Sequence, residues 1–215
     1  MQLTLFLGLI LLATPLRQEH RIFWVLLQLM FLEALLVSLS VSTMRPRLRW
    51  AFLAVWAVGF GANLGARLTS DLTQWWNLGT SGVAFILLAG CVVLVLTYIV
   101  RSPRVTLDVM LGAITTYLLV AFAFAALYSL ASQLDPQSFR LPEWIERGDV
   151  EAMRIEMVYF SLVTMATLGY GDILPSSPFT QMLAVLEAVI GQFFIAVLVA
   201  WLVGMFISHN FAGGR

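Results

Sequence analysis

Thr164-Met165-Ala166-Thr167-Leu168-Gly169-Tyr170-Gly171-Asp172 is the stretch on which the reading of this chain turns. Two glycines two positions apart permit backbone angles closed to residues with a Cβ. Consecutive carbonyls along 167–170 can therefore point the same way. Upstream, 155–166 is an apolar segment that, at ~1.5 Å per residue, is too short to cross a ~30 Å hydrocarbon core. Downstream, 179–208 is apolar and long enough to cross. Irregular backbone at membrane depth is tolerated only where protein buries it or water reaches it. A half-length helix running into Gly-Tyr-Gly between two full spans fits that exception. The helix enters, stops halfway, and the chain returns with its carbonyls exposed to an axial path. Its C-terminus carries roughly half a negative charge, aimed where a cation stripped of water most needs compensation.

The rest of the chain belongs to the same solvent. Of 215 residues, 60% are hydrophobic and 11% charged, against about 25% charged in soluble domains. An ordinary soluble enzyme is excluded. Apolar segments at 3–16, 22–43, 50–68, 82–100 and 107–132 precede the short one, and 133–154 reads as an aqueous loop with Pro136, Pro142 and Gly148. The first segment lacks a positive n-region and a good cleavage site, so it is expected to be a retained short membrane helix. The 12 basic residues are all Arg, and no basic run suits nucleic acid. The Arg45-Pro46-Arg47-Leu48-Arg49 and Arg101-Ser102-Pro103-Arg104 breaks belong on the cytoplasmic side. That places 17–21, 69–76 and 133–178 outside and both termini inside. Trp75-Trp76 reads as an interfacial anchor. Cys91, the single cysteine, excludes an intrachain disulfide and a Cys-based zinc site and reads as buried filler.

At 164–172 the sequence resembles the end of the pore helix and the selectivity filter of the potassium channel family, with Leu168 where Val is usual. The resemblance extends over about 105–208. It implies an all-α membrane protein of the six-transmembrane type with a single pore loop. Residues 1–104 would form four transmembrane helices, a sensor-like domain of unusual kind. The pore domain, 105–208, would comprise an outer helix (105–132), an extracellular turret (133–154), a pore helix (155–166), a filter (167–172) and an inner helix (179–208), before a cytoplasmic tail (209–215). The implied cofactor is the K+ ion, coordinated by the carbonyls of Thr167, Leu168, Gly169 and Tyr170 and by the Thr167 hydroxyl. One strand per chain implies a homotetramer in the lipid bilayer of a plasma membrane, here a bacterial inner membrane. A Gly-rich turn joining two helices is the plain alternative, and six matching positions in this setting argue against it.

Several residues around the loop carry further expectations. Gly171, Asp172, Tyr159, Phe160, Val163 and Thr164 would support the filter. Some family members carry a Glu four residues before the filter Thr; here Val163 stands there, so Asp172 needs another partner or is solvated. Tyr159 and Phe160 are candidates for an aromatic cuff around Tyr170. Leu168 keeps the carbonyl but places a bulkier, less stiff side chain behind it. Asp135, Glu143, Glu146, Asp149, Glu151, Glu156 and Asp172 outweigh Arg140, Arg147 and Arg154, which either concentrates cations at the mouth or marks a solvated turret.

Gly191 sits where the family often keeps a hinge glycine; bending and close packing are both open readings. Gln192, Ile195, Val199 and Val203 would line the cavity and an apolar gate. Glu187 lies behind the filter, suited to a hydrogen bond with the pore helix, and Glu33 lies mid-membrane without an assigned partner. Residues 82–98 carry no charge, and each gating charge contributes ~2.3 kcal/mol per 100 mV, so intrinsic voltage gating should be weak or absent. With no soluble sensor domain in view, lipid, tension, pH or a partner such as a gating ligand all stand open as the gating stimulus. The functional reading is a potassium-selective channel. Its rivals are a poorly selective cation channel, which Leu168 allows, and a non-conducting modulatory subunit; an enzyme is disfavoured.

Overall fold

A computed structural model describes residues 73–102, 106–143, 145 and 150–212, with isolated helical positions at 50, 54 and 57. The segments expected at 3–16, 22–43 and 50–68, together with Glu33 and Arg45–Arg49, lie outside these residues apart from those three positions. The described chain is mostly helical. Its elements are α1 (Thr73–Arg101), α2 (Leu107–Leu134), β1 (Phe139–Arg140), α3 (Val150–Met165), β2 (Leu174–Pro175) and α4 (Pro178–Ala212). Among the described residues, three spans are long and apolar enough to cross a membrane: Asn77–Arg101, Leu107–Leu134 and Pro178–Val197. At 16 residues, α3 is ~24 Å long and falls short of the hydrocarbon thickness.

Local chemistry sets the helix ends. Thr106, with extended backbone, accepts the Val109 amide at 3.4 Å and starts α2. Ser177 accepts the Thr180 amide at 3.2 Å ahead of α4. Pro178 takes the first helical position, where its missing N–H costs nothing. The Ser138 carbonyl accepts from the Ser176 amide at 2.8 Å and from the Thr180 hydroxyl at 2.9 Å. With the antiparallel pairs Phe139–Pro175 and Arg140–Leu174, these bonds clip the segment after α2 to the start of α4.

Several boundaries differ from the sequence expectation. Helix α3 begins at Val150 rather than 155, so the end of the expected turret is its first turn. The charged pattern Glu151…Arg154 suggested water, yet the Arg154 guanidinium donates to the Thr80 hydroxyl at 2.7 Å and to Ser81 Oγ at 3.2 Å. The same bonds explain why α1 starts at Thr73 rather than 82, through a stretch expected to be an outer turn. Polar Thr80 and Ser81 are satisfied by α3, and Ser81 also by Gln133 of α2 at 3.0 Å. Helix α2 covers 107–134 instead of 105–132, and α4 begins at Pro178 and runs past 208 into the expected tail. Glu156, counted with the turret acids, is buried on α3. The β1–β2 pairing was not foreseen, because two-residue strands leave no periodic signal.

Two apolar clusters position α3. Leu87, Leu88 and Cys91 of α1 pack with Leu119, Phe122 and Ala123 of α2 and with Val158 of α3. Above them Tyr128, Phe139 and Phe160 stack edge to face, with ring centroids 5.1–5.7 Å apart, beside Met157 and Ile173. Such ring pairs add ~0.5–1.5 kcal/mol each beyond the area they bury. Outside this core the helices stay apolar. Ile86, Val93 and Val100 of α1 and Phe179, Met182, Val185, Phe193 and Val197 of α4 are all exposed. Faces of that extent suit lipid or another protein surface, not water.

Candidate functional site

The site is built where α3 stops. The Thr167 amide donates to the Thr164 carbonyl at 3.0 Å, and the Leu168 amide to the Val163 carbonyl at 2.9 Å. This pair of bonds is the Schellman ending, whose left-handed position normally holds glycine. Here it holds Thr167, at φ 57°, and a non-glycine residue in that region costs ~1–2 kcal/mol. Val163 and Thr164 thus act through their carbonyls: they anchor the turn. Beyond it Gly169 and Gly171 also have positive φ, 56° and 77°, whereas Leu168 and Tyr170 do not. Handedness therefore alternates residue by residue from 167 to 171. Residues 166–172 are all exposed, Leu168 at 57% and Tyr170 at 66%.

Two elements grip the end of α3. The Met165 carbonyl accepts the Tyr117 hydroxyl of α2 at 3.0 Å. Helix α4 also passes so close that a Cβ on Gly191 would stand 2.7 Å from the same oxygen. Of the two open readings of Gly191, close packing is realised here. A side chain at 191 and a Met165 carbonyl in this position are mutually exclusive.

Asp172 closes the loop. Its Oδ2 accepts the Tyr159 hydroxyl at 2.8 Å, and its Oδ1 accepts the Ile173 amide at 3.0 Å. That supplies the partner the sequence left open. Desolvation, the bond to Asp172 and that carboxylate's charge push the Tyr159 hydroxyl up to about 12, so it stays a donor at physiological pH. Phe160 turns the other way, into the rings of Tyr128 and Phe139. Of the two residues expected to form a cuff around Tyr170, Tyr159 bonds Asp172 and Phe160 faces the Tyr128 and Phe139 rings. Tyr159→Phe should remove one exposed hydrogen bond, ~0.5–1.5 kcal/mol. The loss should appear as a small drop in thermal stability, which a melting curve would register.

Glu187 is fully buried on α4. It accepts the Tyr128 hydroxyl at 2.7 Å and lies against the Ser161 hydroxyl. Gln192, Ile195 and Val203 are exposed along α4; the Val199 side chain, like Glu33, lies outside the described residues. Sequence reasoning overlooked Tyr117, Tyr128 and Ser161. Their signal was available: a phenol or hydroxyl inside an apolar helix requires a partner, and Tyr117 and Tyr128, three turns apart, share one face of α2.

Residues 112–208 match a family described as an ion channel. Two-pore potassium channel 5 of Arabidopsis thaliana is 41% identical over 49 residues, 23% of this chain and 12% of its own length. Two-pore potassium channel 3 of the same plant is 39% identical over 49 residues, 23% of this chain and 11% of its own. Two-pore potassium channel 2 is 31% identical over 64 residues, 28% of this chain and 14% of its own. The matches therefore span a small part of these relatives. No solved structure matches. Taken with the Thr-Leu-Gly-Tyr-Gly-Asp loop, these matches make residues 112–208 similar to an ion channel family and, over 49 residues, to plant two-pore potassium channels. This chain carries an ion-transport domain of a membrane protein.

Proposed function

We propose that four copies of this chain assemble around one axis and pass K+ through a path lined by the carbonyls of Thr167, Leu168, Gly169 and Tyr170. The observation that carries this reading is the alternation of φ sign from 167 to 171. Alternating handedness groups like backbone dipoles on one side of the chain. Four such strands would replace a cation's lost hydration with a stack of oxygens, to which the Thr167 hydroxyl adds at the inner end. One chain has one such loop, so a closed ring needs partners. The long exposed apolar face of α4 offers them a surface. In this reading α3 is the pore helix, α2 and α4 are the outer and inner helices, and Gln192, Ile195, Val199 and Val203 line the inner cavity. The bilayer is that of a plasma membrane, with the loops flanking α3 outside, as the Arg101 and Arg104 cluster favours.

Purified protein in liposomes tests the reading. An outward K+ gradient should drive tracer uptake that barium blocks and that stops when sodium replaces potassium inside and out. Uptake indifferent to the ion would favour a poorly selective cation pore, and no uptake would favour a modulatory subunit.

Between Asn77 and Val100, α1 carries no charged residue. A helix without gating charges feels almost no force from the membrane potential, since each charge contributes ~2.3 kcal/mol per 100 mV. Bilayer recordings should therefore give a shallow conductance–voltage relation. A steep sigmoid would place the sensor elsewhere in the chain.

A further inference from the structure

We infer that Glu187 is held as a neutral carboxylic acid whose proton completes a hydrogen-bonded chain locking α3 between α2 and α4. The inference comes from counting protons. The Ser161 oxygen lies 2.6 Å from the Ala121 carbonyl of α2, a full-strength O–H···O distance. A carbonyl only accepts, so the single Ser161 proton is committed there. The same Ser161 oxygen also meets Oε1 of Glu187. Two oxygens in that contact need a proton between them, and Ser161 has none left. Glu187 must supply it. Tyr128 points its own proton at Oε2 at 2.7 Å, which leaves Oε1 to carry the acid's hydrogen.

With that assignment every group is satisfied. Tyr128 donates to Oε2, the acid donates from Oε1 to Ser161, and Ser161 donates to Ala121. An ionised Glu187 would leave either the carboxylate or the Ala121 carbonyl facing a lone pair in a site where Tyr128, Ser161 and Glu187 are all fully buried. An unmade buried hydrogen bond there is costly. Tyr117 and Tyr128 are the titratable groups of α2 near the acid, Tyr128 alone bonding it, and α3 presents Ser161. The chain ties α4 to both other helices, one turn before Gly191 meets the end of α3. Glu187 is thus a positioning residue for the glycine loop. That role rests on the channel reading, whereas the proton assignment stands without it.

Infrared spectra of the intact protein, with isotope-labelled glutamate, read the proton directly. At neutral pH the native chain should show a protonated-carboxyl band that Glu187→Gln removes. Ser161→Ala should keep the band but shift it upward, because the acid loses its acceptor. A native spectrum without the band overturns the assignment, whichever variants fold. Gln has the donor and acceptor of the neutral acid, so Glu187→Gln should leave liposome K+ flux near native. Glu187→Val should lower it about tenfold or more, the counterpart of a lost buried bond. A native band combined with flux abolished by Glu187→Gln would overturn the positioning role. Native protein that shows the band but transports nothing would sink the channel reading alone.

Discussion

Replacing Gly191 by alanine is expected to abolish K+ flux and to lower thermal stability. The added Cβ would lie 2.7 Å from the Met165 carbonyl oxygen and 3.0 Å from Met165 Cγ. The Cγ can swing away. The carbonyl cannot, because it closes α3 and is held by Tyr117 at 3.0 Å. Either α4 or the end of α3 must move, and overpacking of this kind costs ~1–3 kcal/mol per chain. Thr167 begins the loop two residues later, so the displacement passes straight into it. Were bending the only role of Gly191, alanine would stabilise the helix by ~1 kcal/mol and the melting temperature would rise. The direction of that shift separates the two roles. Tyr117→Phe relaxes the same carbonyl and should soften the Gly191→Ala effect, so the two changes should not be additive.

Alanine at Gly169 should be equally damaging for a different reason. Nothing lies within 4 Å of a Cβ built there, so space is not the obstacle. The backbone is: φ is 56°, where an L-residue costs ~1–2 kcal/mol. In a fourfold ring that penalty recurs in every chain. D-Alanine carries its Cβ on the other side and favours positive φ. Semisynthetic protein with D-Ala at 169 should therefore transport K+ near the native rate, while L-Ala should not. Equal loss with both would show that the glycine answers to crowding in the assembly and not to handedness.

The contrast between these two glycines shows how much the sequence disclosed. Gly169 and Gly171 were readable because their need is local: a backbone angle belongs to the residue itself. Gly191 was ambiguous because its reason, the Met165 carbonyl, lies on another helix. The same division runs through the site. The short α3 between two spans was legible from hydropathy and length. Its true start at Val150 was hidden, because Arg154 is satisfied by Thr80 and Ser81 of α1, more than seventy residues away in sequence. The role of Glu187 toward the short helix could be guessed from depth. Its partners Tyr128 and Ser161 needed three helices brought together. The bond from Tyr159 to Asp172 spans only one loop, yet Tyr159 was read as packing, since a phenol serves equally as ring or donor.

Image reconstruction of the detergent-purified protein with Rb+ in place of K+ tests the central claim most directly. Four chains should meet with residues 167–171 around a shared axis, and density for a line of ions should lie on that axis between the backbone oxygens of 167 to 170. An assembly that keeps these residues apart, or an axis empty of ions at saturating Rb+, would contradict it.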